Sequence, residues 1–189
     1  MKEKWKVSQA LFDSRAMARL TGLEEGRASS MQHEYRNSSP FPGSEITSER
    51  AFGTLGFAAM KEVGISLADG AAPFRKLVYY GLYEMARSSL LQGFRGSAAE
   101  RSELSAWLDE GSEHTQRHHL QTLLGIFERP AARYLIVSQK QVFTSDCIEE
   151  LVEAHGGMGG LFIDAKRIAE RVRSFRPDLF SVEACVSAE

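Results

Sequence analysis

Two histidines stand four residues apart on a predicted helix, and this spacing suits metal binding. His114 and His118 share one helical face, with Glu113 and His119 beside them, so two imidazoles could reach one metal ion. The HExxH order of zinc enzymes is absent, and no third ligand has a spacing that completes the set. We therefore interpret this segment as an exposed helix and predict no metal and no cofactor.

A glycine run, Gly156 to Gly160, has the composition of a phosphate-binding loop but not its position. Phosphate loops follow a strand and open a helix, so that the helix amides point at the anion. This run follows a predicted helix and precedes a predicted strand. It is expected to end the helix through glycines with positive φ.

Catalytic nucleophiles are not evident. Cys147 lies in the first turn of a predicted helix, where the dipole can lower a thiol pKa, but Glu149 and Glu150 are close in sequence. A structural role is therefore expected for this cysteine. No Ser-His-Asp, Cys-His or paired-carboxylate arrangement stands out, so the chain is predicted not to be an enzyme.

Length and composition describe an ordinary globular chain. Its 189 residues are 43% hydrophobic and 25% charged, which suits one domain or two small ones and excludes a wholly disordered or disulfide-built chain. No apolar run approaches the roughly 18 residues of a membrane span, and the start lacks an apolar signal segment. No membrane partner is expected, and the expected location is the cytoplasm.

The net charge of −2 hides a difference between the two halves of the chain. Residues 1 to 96 contain 13 Lys/Arg and 10 Asp/Glu, whereas the remaining residues contain 10 and 15. The first half is therefore the expected place for a polyanion to bind. A cationic run near the C-terminus is interpreted as the solvated face of a helix, with a second phosphate contact as the alternative. This run consists of Lys166, Arg167, Arg171, Arg173 and Arg176.

Short helices separated by turn-forming residues are predicted in the first half. Asp13 or Ser14 caps a helix that runs to about Leu20, and Gly22 makes a tight turn before the next helix. The further predictions are a helix from Glu24 to His33, a loop or short hairpin over residues 37 to 44, a helix from Thr47 or Ser48 to Glu62, a short helix from Ile65, and a longer helix that Pro73 opens and that fades near Gly93.

The second half changes from helical to strand periodicity after Pro130. Glycines near Phe94 to Ser97 interrupt the helical period and mark the best boundary. The predictions beyond it are helices from Ser97 and Ser112, a strand over 133–138 with a second at 141–143 as an option, a helix to His155, a strand over 161–163, and a helix from Asp164 to Arg173. The expected fold class is mainly α, with units over 1–93 and 97–129 followed by a small α/β module over 130–189.

The order of elements in the first half resembles the MerR-type winged helix-turn-helix of bacterial transcription regulators. Residues Phe12 to Leu23 are similar to the family's first helix and turn, and Phe52 to Asp69 are similar to the helix pair that follows its wing. The match covers roughly residues 7 to 85. It implies that the helix from Glu24 to His33 enters the major groove of double-stranded DNA and that residues 37 to 46 form a wing along the backbone.

The resemblance also implies which residues contact DNA. Family members usually carry Arg or another long polar residue, with an aromatic, in the middle of the second helix, whereas this chain has Ser29, Ser30 and Met31. Serine can bond to a phosphate or a base but cannot make the bidentate contact of Arg with guanine. The residues expected at phosphates are Arg15, Arg19, Arg27, Arg36 and Arg50. Those expected at base edges are Ser29, Ser30, Gln32 and His33.

Three hypotheses follow for function. The first is a sequence-specific DNA-binding regulator that acts as a homodimer; Gly93, Gly96 and Gly111 break the family's long dimer helix, so residues 97 to 127 are expected to form the interface. The second is a protein-interaction module that kept the winged-helix shape and lost base reading. The third is a small-ligand sensor or enzyme built on the C-terminal module. A protein partner or small effector would act on the C-terminal half.

Overall fold

A computed structural model describes residues 4–37, 39–41, 43–62, 64–126, 129–138, 141–155 and 160–185. Most of the described chain is helical, and short strands form three small sheets, so the mainly α class is confirmed. The helices are α1 (Ser14–Thr21), α2 (Glu25–Arg36), α3 (Ser48–Glu62), α4 (Leu67–Ser89), α5 (Ala98–Leu108), α6 (Glu113–Leu124), α7 (Ile148–His155) and α8 (Ala165–Phe175). The strands are β1 (Trp5–Gln9), β2 (Leu11–Phe12), β3 (Ile46–Thr47), β4 (Phe94–Arg95), β5 (Tyr134–Ser138), β6 (Gln141–Ser145), β7 (Gly160–Asp164) and β8 (Phe180–Ala184).

Helices α1 and α2 form the predicted pair around a glycine turn. The Asp13 carboxylate accepts a hydrogen bond from the Ala16 amide at 2.6 Å and thereby caps α1. Gly22 ends this helix in the left-handed conformation, with φ of 73°, and its amide bonds to the Ala18 carbonyl. The second helix runs three residues beyond the predicted end at His33, because Tyr35 continues its buried side.

The two ends of the chain meet in one sheet, with strand order β1-β8-β4. Strand β1 pairs antiparallel with β8, so that Val7 lies opposite Val182. Strand β8 was not predicted from the sequence. Gly93 lets the chain pass close to it, since a Cβ there would lie 1.9 Å from the Phe180 carbonyl oxygen.

A second sheet holds the predicted C-terminal strands. Strand β5 lies between β6 and β7 and pairs antiparallel with both, and the chain order β5-β6-α7-β7-α8 matches the prediction. The carboxylate of Asp164 caps α8 by accepting a hydrogen bond from the Lys166 amide. Helix α8 then packs against α4 and α3 rather than staying with its own sheet.

One hydrophobic core therefore joins the segments that the sequence divides. It includes Trp5 of β1, Phe52 of α3, Leu82 of α4, Val172 of α8 and Val182 of β8, all buried. This core includes residues on both sides of the predicted boundary near Gly96. Within α4, the prediction that Pro73 opens a helix is wrong, because the helix already begins at Leu67 and runs through the proline.

The described residues between α2 and α3 do not form a hairpin with one another. It ends in β3, which pairs with β2, so that Phe12 lies opposite Ile46. The ring of Phe41 packs edge-on against Tyr79 of α4, which draws the segment towards the core. The winged form of the helix-turn-helix is thus not confirmed, and residues 38 and 42 lie outside the described residues.

Candidate functional site

Helix α2 has one buried side and one exposed side. Ala28, Met31 and Tyr35 recur at spacings of three and four and are buried against α1 and α3. The exposed side carries the polar residues that the sequence singled out, with Gln32 half-buried at its edge. The exposed members are Arg27, Ser29, Ser30, His33 and Arg36.

Helix α1 extends this surface with two more arginines. Arg15 and Arg19 are exposed and four residues apart, so they lie on the same face of α1. The Arg19 guanidinium lies 5.5 Å from the centroid of the Phe175 ring, which steadies it on α8. The ion pairs within the described chain involve neither of these arginines nor Arg27 nor Arg36.

One cation of α8, Arg171, comes from the acidic half of the sequence but lies beside α1. Arg171 donates from Nε and Nη2 to the Leu20 carbonyl at the end of α1, at 3.1 and 2.7 Å. Lys166, Arg167 and Arg173 share the helix with only one acid. The net charge of each half of the sequence therefore does not give the charge of this surface, because the basic helix α8 of the second half packs against helices of the first half.

Acidic residues offset part of this positive charge. Residues 13 to 36 contain four arginines and four acids, so α1 and α2 alone are balanced. One of the acids, Glu34, forms an ion pair with Lys61 of α3. Arg171 of α8 adds one cation to this surface beside α1.

Arg50 does not belong to this surface, and the expectation that placed it among surface cations is wrong. Its side chain is only 2% exposed, in the first turn of α3. Its Nη2 donates to the Gly43 carbonyl, and its Nη1 has no hydrogen-bond partner among the described residues. A buried guanidinium with an unpaired donor is costly, since burial removes water without supplying a partner.

A second buried charge, Glu49, lies beside Arg50 and was not predicted as a functional residue. The Tyr35 hydroxyl donates to Glu49 Oε1 across the contact between α2 and α3. The Ser39 hydroxyl donates to the same carboxylate at 3.2 and 3.3 Å. These residues hold the loop and both helices together under the exposed side of α2.

Burial shifts the pKa of both groups in this cluster. Loss of solvation raises the pKa of Glu49 to about 7, although the hydrogen bonds from Tyr35 and Ser39 and the charge of Arg50 oppose the shift. Burial, and then the charge of Glu49, raises the pKa of the Tyr35 hydroxyl well above its usual value. The carboxyl group therefore changes its charge near neutral pH.

A sequence signal for this burial exists in α3. After Glu49 and Arg50 the helix reads Ala51-Phe52-Gly53-Thr54, followed by further small and apolar residues, with little polar surface on any side. A helix of this kind is surrounded by protein, so its first charged residues are buried as well. An apolar stripe on one side of a helix predicts a half-exposed helix, so that pattern does not identify a helix that is buried on all sides.

The remaining candidates from the sequence are His114 on α6, Cys147 and the glycine run. His114 lies on α6 at the edge of a cleft that Arg117 and Asp146 also line. Among the described residues, no group of three or more His, Cys, Asp or Glu side chains is placed to hold a metal ion. The Cys147 thiol donates to Glu149 Oε2 at 3.0 Å, and residues 156–159 of the glycine run lie outside the described residues.

Comparisons with known proteins give no relative. No protein-family model matches the chain, and no curated protein or solved structure shows significant similarity to it. Across the described residues, every helix is too short or too polar to cross a membrane.

Proposed function

We propose that the protein binds double-stranded DNA through the exposed side of α2 and acts as a sequence-specific transcription regulator. The proposal rests on one observation. Helix α2 packs on α1 across the Gly22 turn, and its exposed side carries two arginines, Arg27 and Arg36, that form no ion pair with any described residue. An α-helix fits the major groove of B-form DNA, and unpaired arginines bind phosphate or guanine.

The roles of the residues follow from where they lie. Arg27 and Arg36 stand nine residues apart on α2, which places them at the two opposite edges of its exposed side, and they contact phosphates on the two sides of the groove. Ser29, Ser30 and His33 lie between them and face base edges. The cations of α1 and α8 continue the phosphate contacts beside α2.

The acids at the start of α2 limit the area of contact. Glu24 and Glu25 stand in or before the first turn, and the Glu24 side chain caps no amide of the helix. These carboxylates repel phosphate, so the proposed contacts begin at Arg27. A modest affinity with a clear dependence on salt is the expected result.

The proposal includes a homodimer formed through α5 and α6. Helix α5 packs against α6, and α6 packs against α4 and β1, which keeps both away from α2. A dimer built there leaves both copies of α2 exposed. It predicts a two-fold-symmetric DNA motif and, by light scattering, twice the mass of 21.0 kDa.

Selection from a pool of random duplex DNA tests this function. The protein is expected to retain duplexes that share a motif, and Ser30→Ala is expected to change the preferred base at one or two positions. Arg27→Ala is expected to weaken binding to all retained sequences alike, because a phosphate contact carries no sequence information.

One control keeps this experiment specific. Arg75→Ala changes an exposed arginine of α4, which is neither a proposed DNA-binding helix nor a proposed dimer helix, and it is expected to leave the motif and affinity unchanged. Retention of DNA without any enriched motif would contradict sequence-specific reading. Absence of binding even at low salt would contradict DNA binding and favour a protein partner for this surface.

A further inference from the structure

Glu49 is a buried carboxyl group that forms no ion pair with the described residues. It is 1% exposed, at the start of α3. Two hydroxyl groups hydrogen-bond to its carboxyl oxygens, that of Tyr35 on α2 and that of Ser39 in the segment after α2. An ionised carboxylate in this place lacks both water and a counter-ion, so the packing favours the protonated carboxyl group.

The neighbouring Arg50 does not supply the missing counter-ion. Consecutive side chains of a helix do not face each other, and Arg50 Nη2 instead donates to the Gly43 carbonyl. Tyr35 is the other titratable group that faces Glu49, and burial keeps its hydroxyl protonated by raising its pKa. The other elements that pack against α3 bring no described charged side chain into hydrogen-bond or ion-pair contact with Glu49.

The two hydroxyl groups connect Glu49 to the last turn of α2, residues 33 to 36, and to the segment that follows. Tyr35 belongs to this turn, and its ring packs edge-on against Phe74 with the centroids 6.0 Å apart. The Ser39 hydroxyl also accepts a hydrogen bond from the Phe41 amide at 3.1 Å. Water that hydrates the Glu49 carboxylate takes the places of these hydroxyl groups, so hydration moves the last turn of α2 and residue 39 away from α3.

We propose that the proton on Glu49 controls DNA binding, because it decides whether the last turn of α2 is held on α3. With the proton in place, Tyr35 and Ser39 hold the turn, and His33 and Arg36 keep their positions on the exposed side. Loss of the proton favours an opened state in which the turn has moved and water hydrates the carboxylate. The control of DNA binding rests on the proposed function of α2, whereas the movement itself does not.

The pH range of the movement follows from the two environments of Glu49. The pKa of its carboxyl group is about 7 in the closed packing and close to the ordinary 4.5 once it is hydrated. The opened state therefore gains on the closed state as pH rises between these values, and gains no further above them. Because the ends of helices open at a small cost in free energy, such a shift changes the populated fraction.

Amide hydrogen exchange at pH 5.5 and pH 7.5, corrected for intrinsic exchange rates, tests the movement without DNA. In the wild type, the opening equilibrium of the last turn of α2 is expected to rise at least about tenfold over this range. Glu49→Gln stays uncharged, so no such rise is expected. Glu62→Gln changes an exposed glutamate at the other end of α3 and is expected to behave like the wild type.

A second variant tests the same movement by a change in its pH range. Tyr35→Phe removes one of the hydrogen bonds that lower the pKa of Glu49. The rise in opening is therefore expected to extend to higher pH than in the wild type. If Glu49→Gln does not fold, this displacement decides on the movement.

DNA affinity at the same two pH values tests the control of binding. From pH 5.5 to pH 7.5, the affinity of the wild type relative to that of Glu49→Gln is expected to fall at least about threefold, because only the closed α2 binds. Both proteins carry His33 and bind the same DNA, so other groups that titrate in this range cancel from the ratio.

The two measurements separate failure of the movement from failure of DNA binding. Equal opening of the wild type and Glu49→Gln at both pH values would overturn the movement, with or without DNA binding. A constant ratio of affinities, while the opening follows pH, would overturn its control of DNA binding. Absence of DNA binding at every pH would contradict the proposed function instead, and the exchange result alone would then decide on the movement.

Discussion

The two sides of α2 hold polar residues under opposite conditions. On the exposed side, Arg27 and Arg36 are surrounded by water and pair with no described residue. On the buried side, Tyr35 reaches a carboxylate that is only 1% exposed. Unpaired charge costs little on the first side and much on the second.

Substitutions on the two sides of α2 therefore affect different properties: DNA binding on the exposed side and folding stability on the buried side. Arginines on the exposed side can be replaced with small effects on folding, so any effect on DNA binding reports contact directly. The cluster of Tyr35, Glu49 and Arg50 is part of the packing between α2 and α3, so its replacement changes the folded state first.

The strongest effect is expected from the pH dependence of Glu49. Its pKa is about 7 in the folded protein, above the ordinary value of 4.5, so the folded state binds the proton more tightly between these values. The stabilisation from the protonated form is complete below pH 4.5 and is lost as pH rises through about 7. The Glu49→Gln variant has no such titration. Between pH 4.5 and pH values above about 7, the free energy of unfolding of the wild type is therefore expected to fall by about 3 kcal/mol relative to that of the variant.

Urea unfolding at a series of pH values measures this difference. Glu34→Gln changes an acid on the exposed side of α2 and is the matched control; it is expected to keep the pH dependence of the wild type. Equal pH dependence in the wild type and Glu49→Gln would show that the buried carboxyl does not titrate as described.

Substitution of two helical glycines by alanine is expected to change the free energy of unfolding by smaller amounts, in opposite directions at the two positions. A Cβ at Gly53 of α3 would lie 2.0 Å from the Tyr35 ring, so Gly53→Ala is expected to displace the ring and destabilise the protein by about 1 to 3 kcal/mol. A Cβ at Gly26 of α2 meets nothing within 4 Å. Gly26→Ala is therefore expected to stabilise by about 0.5 kcal/mol, because alanine restricts the unfolded chain.

Midpoints of urea unfolding distinguish these two variants. A loss of stability in Gly26→Ala, or no loss in Gly53→Ala, would contradict the claim that one side of α2 is open to solvent and the other is tightly packed against α3.

Local patterns predicted the elements near α2 well. Asp13 and Gly22 give the ends of α1 because capping acts over a few residues. The exposed positions of Arg27 and His33 follow from helical spacing on a helix with one buried side. The sequence of strands and helices along the C-terminal module likewise follows from its local change of period.

Contacts between distant segments could not be predicted in this way. The short strand β8 carries no local signal that names β1 as its partner, and α8 gives none that places it beside α1. The burial of Glu49 and Arg50 also depends on elements far along the chain, since the Ser48 hydroxyl beside them bonds to the Leu179 carbonyl. Single-sequence patterns describe faces of helices, and they do not specify what covers those faces.

Binding of DNA by the exposed side of α2 is tested by the dependence of the affinity on salt concentration. Each phosphate contact contributes about 0.9 to the slope of log affinity against log salt concentration. The double variant Arg27→Ala/Arg36→Ala is therefore expected to have a slope smaller by about 2 than the wild type. Arg75→Ala, at an exposed position of α4, is expected to keep the wild-type slope. An unchanged slope in the double variant, or no binding by the wild type at low salt, would contradict DNA binding by the exposed side of α2.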